Sequence, residues 1–157
     1  MTIRFTGLPT ARARAIQGGA ADANGQVPER AVASGDGEPC RHCLEMMKPG
    51  ETYLVLAERP FASINPYAEV GPIFLHAAPC AAFAGAGDRL PPVLEDSPDY
   101  IVRGYDGNER IVYGTGQVTA RDDIVGYTEA LLSRDDIAFV HVRSARNNCW
   151  QARVDRT

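Results

Sequence analysis

Residues 71–80, Gly71-Pro72-Ile73-Phe74-Leu75-His76-Ala77-Ala78-Pro79-Cys80, predict a buried strand that carries a histidine and then a cysteine to its end. The apolar run Ile73–Ala77 lies between turn-forming residues, which favours a strand over a helix. Upstream lies a second notable stretch, Pro39-Cys40-Arg41-His42-Cys43. Together the two stretches offer four soft metal ligands in two close pairs, Cys40/Cys43 and His76/Cys80.

The composition is that of one globular domain, which we assign to residues 1–157. A chain of this length buries a sufficient core without disulfides. The net charge of −4 argues against nucleic-acid binding, because nucleic-acid-binding domains carry a basic face. The N-terminal residues lack the apolar run of a secretory signal, and the least polar stretch, Phe74–Gly87, is too short to span a bilayer. These features predict a cytoplasmic protein without nucleic-acid or membrane partners, and they leave the oligomeric state open.

The spacing of apolar residues predicts an α+β fold, with a mostly antiparallel twisted sheet of about six strands. One clear helix is expected in the C-terminal half, after a capping box at Thr119–Asp122 and ending near Arg134. Residues 18–38 contain six glycines or prolines and no apolar period, so they predict a long irregular loop with a helical turn near Glu29–Ala33. The strands are expected at Ile3–Phe5, Tyr53–Ala57, Ile73–Ala77, Tyr100–Tyr105, Arg110–Val118, Ile137–Arg143 and Trp150–Val154.

The last two strands form a predicted hairpin whose loop length decides which side chains share a face. If Val140 and Val142 lie on the core face with Trp150, the loop must have an odd number of residues, because side chains alternate along a strand. A three-residue loop at Ala145–Asn147 meets this condition, and Asn147 tolerates a left-handed conformation. We then expect five side chains to line the other face together, namely His141, Arg143, Cys149, Gln151 and Arg153.

The two ligand pairs have alternative chemical interpretations. The spacing Cys40-x-x-Cys43 lets two thiolates reach one tetrahedral metal ion, and His76 with Cys80 would complete a four-ligand zinc site. The same spacing suits a redox disulfide between Cys40 and Cys43. Cys80 becomes a candidate nucleophile if Pro79 starts a short helix over Cys80–Ala84, since a helix N-terminus stabilises a thiolate. The remaining alternative is that these are small buried side chains without chemistry.

A small anionic ligand is a further expectation. His141, Arg143, Gln151 and Arg153 share the polar face of the last hairpin, and the two arginines with the imidazole place positive charge in an acidic protein. Arg41, between the first two cysteines, is a candidate to hold a thiolate or an anion. The predicted ligand-binding set is Arg41, His141, Arg143 and Gln151.

Several short motifs resemble one known family. They are Pro39-Cys40-Arg41, Pro49-Gly50-Glu51, Pro66-Tyr67-Ala68-Glu69, Gly71-Pro72-Ile73-Phe74, Arg103-Gly104-Tyr105-Asp106, Val140-His141-Val142-Arg143, Cys149, and Arg153-Val154-Asp155-Arg156. As a set they are similar to the bacterial domain-of-unknown-function family 1203, over nearly the whole chain. The resemblance implies no activity, substrate or cofactor.

Three functions therefore remain open from the sequence. The first is a non-catalytic binding domain whose Cys/His cluster holds a structural zinc ion. The second is a thiol enzyme or redox sensor that uses Cys40/Cys43 or Cys80. The third is a protein-interaction domain without metal. Metal content separates the first from the other two.

Overall fold

A computed structural model describes residues 2–157 and shows an α+β fold with eight strands, two helices and two short 3₁₀ turns. The strands form two antiparallel sheets of five and three strands, where the sequence predicted one sheet. In chain order the elements are β1 (Ile3–Thr6), α1 (Thr10–Gln17), β2 (Glu29–Val32), β3 (Thr52–Glu58), β4 (Gly71–His76), a 3₁₀ turn (Pro92–Leu94), β5 (Asp99–Tyr105), β6 (Gln117–Ala120), a 3₁₀ turn (Arg121–Asp123), α2 (Ile124–Leu132), β7 (Phe139–Ser144) and β8 (Trp150–Arg156). None of the helices described in residues 2–157 is long and apolar enough to cross a membrane.

The five-stranded sheet has the order β1-β8-β7-β5-β6 and carries the larger core. Its central strands place Val102 opposite Val142, and Val142 opposite Ala152, and all three side chains are fully buried. Helix α2 covers this face with Ile124 and Leu132, which belong to the same apolar cluster. Each fully buried aliphatic side chain of this kind contributes about 1.5–3 kcal/mol, so the cluster stabilises the fold substantially.

The three-stranded sheet has the order β2-β3-β4 and forms a second core with α1. Leu54 pairs with Leu75, and Leu56 pairs with Ile73, so one face of the sheet is continuous and apolar. Ile16 of α1 packs in the same cluster, which also contains Cys40 and Cys43. The predicted strands over Tyr53–Ala57 and Ile73–Ala77 are confirmed as β3 and β4 to within one residue at most ends.

Three local predictions are wrong. Residues 29–32 form edge strand β2 and not a helical turn, because their backbone pairs with β3. The side chains contribute little to this pairing, since only that of Ala31 is partly buried. Residues 80–84 are not helical, so no helix dipole stabilises a thiolate at Cys80. The strand predicted from Arg110 begins only at Gln117, because Glu109 and Gly114 adopt positive φ angles that interrupt pairing.

The face assignment of the last hairpin is also wrong. The loop has four residues, closed by Ser144 and Cys149, and the left-handed residue is Asn148 (φ 56°) in place of Asn147. A register shift next to Arg143 absorbs the extra residue, and Trp150 pairs with Arg143. The Trp150 ring therefore lies on the His141 face, with 5.8 Å between ring centroids, and packs in the core of the smaller sheet. A bulge of this kind cannot be recognised from alternation alone.

Candidate metal centre

A tight turn at residues 39–46 places two cysteine side chains on the same side of the backbone. Its ends are joined by an isolated antiparallel β-bridge between Pro39 and Met46. The Cys40 N–H also donates a hydrogen bond to the Glu45 carbonyl (2.9 Å). Leu44 adopts a left-handed conformation with φ 58°, which is uncommon for a branched apolar residue. Its fully buried side chain lies in the larger core, and this packing holds the strained backbone in place.

The turn is hydrogen-bonded to four other segments through its backbone. Arg41 donates its N–H to the carbonyl of Phe74 in edge strand β4 (3.0 Å) and accepts from the N–H of Leu8 (2.7 Å). The His42 carbonyl accepts from the Phe83 N–H (3.3 Å), and the Leu44 carbonyl accepts from the Val93 N–H (2.9 Å). The turn is therefore fixed beside the end of β4, where His76 is the last strand residue and Cys80 follows four positions later.

The structure brings the four predicted metal ligands together. One ligand atom from each of Cys40, Cys43, His76 and Cys80 lies within 4.8 Å of all the others. The Sγ atoms of Cys40 and Cys80 are 3.8 Å apart, and Cys43 Sγ is 3.5 Å from His76 Nδ1. A tetrahedral ion with Zn–S bonds of about 2.3 Å and a Zn–N bond of about 2.0–2.1 Å separates its ligands by about 3.8 Å and about 3.6 Å, respectively. The cluster could therefore hold a metal ion with little rearrangement.

The three thiols of the cluster differ in acidity. The pKa of Cys40 is lowered by hydrogen bonds to its sulfur from the Cys43 thiol and from backbone N–H groups, including that of His76, although burial opposes the shift. The pKa of Cys43 is raised by its hydrogen bond to Cys40 and by burial. Burial and the charge of Cys40 also raise the pKa of Cys80. A divalent cation bound here would displace the protons that remain on these thiols.

A carboxylate orients the histidine ligand. Glu51 Oε2 lies 2.9 Å from His76 Nε2, which leaves Nδ1 directed at Cys43. Burial lowers the pKa of His76, but the hydrogen bond to Glu51 and the charge of Cys40 outweigh burial, so the net shift is upward. A carboxylate on the distal ring nitrogen is the usual support of a metal-binding histidine, because it fixes the tautomer and increases the basicity of the ligand atom.

A second histidine supports Cys80. His42 Nδ1 lies 3.2 Å from Cys80 Sγ, and its Nε2 lies 2.9 Å from the hydroxyl of Thr10. Burial lowers the pKa of His42 and so favours the neutral ring. One neutral tautomer satisfies both contacts, donating from Nδ1 to the sulfur and accepting at Nε2 from the hydroxyl. His42 is thus a supporting residue of the cluster.

Sequence analysis did not identify Glu51 as a partner of His76, although the signal was present. The predicted strands 53–57 and 73–77 pair as antiparallel neighbours, with Tyr53 opposite His76. This register places the residues just before β3 beside the last residue of β4. An acidic residue two positions before Tyr53 is therefore close enough to contact the imidazole.

The predicted ligand-binding residues are dispersed. Arg41 and Gln151 line one small cleft, with Cys149 beside them. Arg143 is buried and paired with Glu69 (2.8 Å). His141 is fully buried among aromatic rings, and neither ring nitrogen has a hydrogen-bond partner among the described residues. Burial, with the positive charges of nearby arginines, lowers the pKa of His141 well below its ordinary value.

The sequence model of the family described as "Protein of unknown function (DUF1203)" matches residues 37–156. The chain belongs to this family. The match includes all four residues of the metal-ligand cluster, and it confirms the resemblance derived from the motifs. No curated protein and no solved structure matches the chain.

Proposed function

We propose that the protein is a small binding-type domain in which Cys40, Cys43, His76 and Cys80 hold a structural zinc ion. The observation that supports this proposal is the close approach of four protein ligand atoms, all within 4.8 Å of one another. Catalytic zinc sites keep one coordination position for water or substrate, whereas structural sites use four protein ligands. Four ligands here leave no such position. Sulfur and nitrogen ligands also favour zinc over magnesium or calcium.

Charge and burial agree with this role. Three thiolates and a neutral imidazole around Zn²⁺ carry a net charge of about −1. Arg41 is a buried residue of the turn itself, and its positive charge opposes that excess. Arg14 donates to the Cys80 carbonyl (2.6 Å), which fixes the segment that follows β4. None of the four cysteines forms a disulfide, which fits the reducing cytoplasm that we propose as the location.

Metal content tests the proposal directly. Protein purified without chelators should contain about one zinc ion per chain, because the site has one complete set of four ligands. The Cys40→Ser variant should contain little or none. The Cys149→Ala variant is the matched control, since Cys149 lies outside the cluster, and it should keep its zinc. Elemental analysis that finds no metal in the unaltered protein would end the proposal.

The supporting carboxylate gives a second prediction. Glu51→Gln should weaken zinc affinity by about 10–100-fold, the usual effect of removing such a partner. Competition with a chromophoric chelator measures the affinity. Glu45→Gln is the control, because Glu51, and not the Glu45 side chain, forms the hydrogen bond to the His76 ring. Equal affinities of the two variants would show that Glu51 does not orient His76.

A thiol-based redox function is the second candidate, favoured by the lowered pKa of Cys40 and its 3.8 Å separation from Cys80. Cys40 is fully buried, however, and reactive cysteines need access to their oxidants. A metal-free protein that forms a reversible Cys40–Cys80 or Cys40–Cys43 disulfide would establish this function. A metal-free protein with unreactive thiols would instead support the third alternative, a protein-interaction domain without metal. Anion binding by Arg41, His141, Arg143 and Gln151 stays a prediction.

A further inference from the structure

A cleft of about 660 Å³ lies where the two sheets meet, and none of the four candidate metal ligands lines it. One wall comes from β1 and β8, and the opposite wall comes from the residues that follow β3 and from the start of α1. The volume falls within the range of about 300–1,000 Å³ that is typical of small-molecule sites. The cleft is therefore large enough to enclose a ligand of drug-like or metabolite size.

The surface of the cleft combines aromatic rings with arginines. Phe61, Phe83 and Trp150 supply a flat apolar lining. Four arginines line the cleft against only two carboxylates, Glu58 and Asp155. This excess of positive charge is unusual in a protein with a net charge of −4, and it attracts anions.

Two of the four arginines are already neutralised within the protein. Arg12 forms a bidentate pair with Glu58, at 2.8 and 3.2 Å. Arg153 binds both carboxylate oxygens of Asp155. The structure therefore leaves two other positive charges for a ligand.

These two charges belong to Arg4 and Arg59. Neither guanidinium forms an ion pair with any residue of 2–157. The Nε–H of Arg59 is also buried without a hydrogen-bond partner, as is the Nε1–H of Trp150. An unpaired buried donor costs about 1–3 kcal/mol, and a ligand oxygen placed against these side chains offers them an acceptor.

We propose that this cleft binds a small organic anion, with its carboxylate or phosphate at Arg59 and Arg4 and an apolar, planar body against Phe61, Phe83 and Trp150. The arrangement is that of a typical ligand site, in which an apolar lining provides affinity and a few charged groups fix orientation. This site is distinct from the predicted set Arg41, His141, Arg143 and Gln151, none of which lines the cleft. The proposal also does not depend on the identity of the metal.

The cleft and the metal-ligand cluster share a wall. Thr10 lines the cleft and contacts His42, which in turn contacts Cys80. Phe83 lines the cleft and donates its N–H to the His42 carbonyl. The segment that follows Cys80 is thus held in position by the same turn that carries two of the metal ligands.

The single tryptophan of the chain, Trp150, reports directly on the cleft. Titration of the protein as purified with phenylacetate should change the Trp150 fluorescence saturably, with half-saturation at about 1 mM or below. Phenylacetamide has the same shape without the charge and should bind about tenfold more weakly. Equal responses to the two compounds, or no saturation with either, would overturn the proposal.

Variants localise the binding. Arg59→Gln should weaken phenylacetate binding about tenfold, because a charge-assisted hydrogen bond is lost. Its melting temperature should not fall, since the buried Nε–H has no partner to lose. The control is Arg121→Gln, an arginine beyond β6 at the opposite edge of the five-stranded sheet, which should bind as tightly as the unaltered protein. Equal weakening by both substitutions would contradict the assignment.

A second variant, Arg4→Gln, tests the proposal even if Arg59→Gln fails to fold. Arg4 is an exposed residue of β1, so Arg4→Gln is compatible with the fold whatever Arg59→Gln does. It should weaken phenylacetate binding and leave phenylacetamide binding unchanged. Unchanged affinity for phenylacetate in Arg4→Gln and Arg59→Gln alike would show that neither guanidinium contacts the anion, and the proposal would fail.

Discussion

Removal of the proposed zinc ion by a chelator should lower the melting temperature of the protein by about 10 °C or more. Metal that binds only the folded state adds its binding free energy to the free energy of unfolding. For a chain of this size, each kcal/mol of that energy corresponds to about 2–4 °C. Calorimetry before and after treatment with chelator, and again after zinc is restored, measures the shift.

The size of this effect follows from the position of the turn at residues 39–46. Leu44 packs in the core of the five-stranded sheet, whereas Cys40, Cys43 and Met47 pack in the core of the three-stranded sheet. Release of the cysteines would therefore loosen both cores. Unfolding should remain a single transition, because the turn connects the two clusters.

Two variants control the chelation experiment. Cys149→Ala should lose stability on chelation as the unaltered protein does, since Cys149 is outside the cluster. Cys40→Ser should have a low melting temperature from the start and show no further change with chelator. A protein that carries one zinc ion per chain but melts at the same temperature after chelation would show that the metal has no structural role.

Gly7→Ala should destabilise the protein by about 3 kcal/mol, at the upper end of the usual cost of overpacking. A β-carbon at this position would lie 2.2 Å from the Arg41 carbonyl oxygen and 2.8 Å from the His42 carbonyl oxygen. Both contacts are with backbone atoms, so no side-chain rotation can relieve them. The turn that carries Cys40 and Cys43 must move, and zinc affinity should fall together with stability.

Chemical denaturation and chelator competition measure these two effects. Gly107→Ala is the matched control, because a β-carbon there has no heavy atom within 4 Å and the residue has no positive φ. It should change stability by less than about 0.5 kcal/mol. Unaltered stability of Gly7→Ala would mean that the N-terminal segment does not pack against the turn in solution.

The cluster of four candidate metal ligands could be proposed from the sequence because each pair is local. Cys40 and Cys43 are three residues apart, and His76 and Cys80 are four apart, so spacing alone limits where the side chains can point. The meeting of the two pairs is a tertiary contact, and the prediction rested on the preference of zinc for four ligands. The predicted α+β class depended on alternation in the strands, which is also a local signal.

The incorrect predictions concern features that only long-range pairing determines. β2 is an edge strand with exposed or half-buried side chains, so its sequence has no apolar alternation to recognise. Trp150 lies on the opposite face of the hairpin from the predicted one, because a four-residue loop is followed by a register shift. Nothing in the residue types marks this shift. The cleft could not be predicted for the same reason, since β1, α1, β8 and the segment that follows β3 each contribute one of its four arginines.

The pairing of β1 with β8 determines the order in which the protein can be assembled during synthesis. Domains form progressively as the chain emerges from the ribosome, at about 5–20 residues per second. All three strands of the smaller sheet and all four candidate metal ligands lie within residues 29–80, so these strands can pair while β5 to β8 are still being made, and Trp150 completes their core last. Ile3 pairs with Arg156, and β1 therefore keeps an open hydrogen-bonding edge until the final strand has been translated.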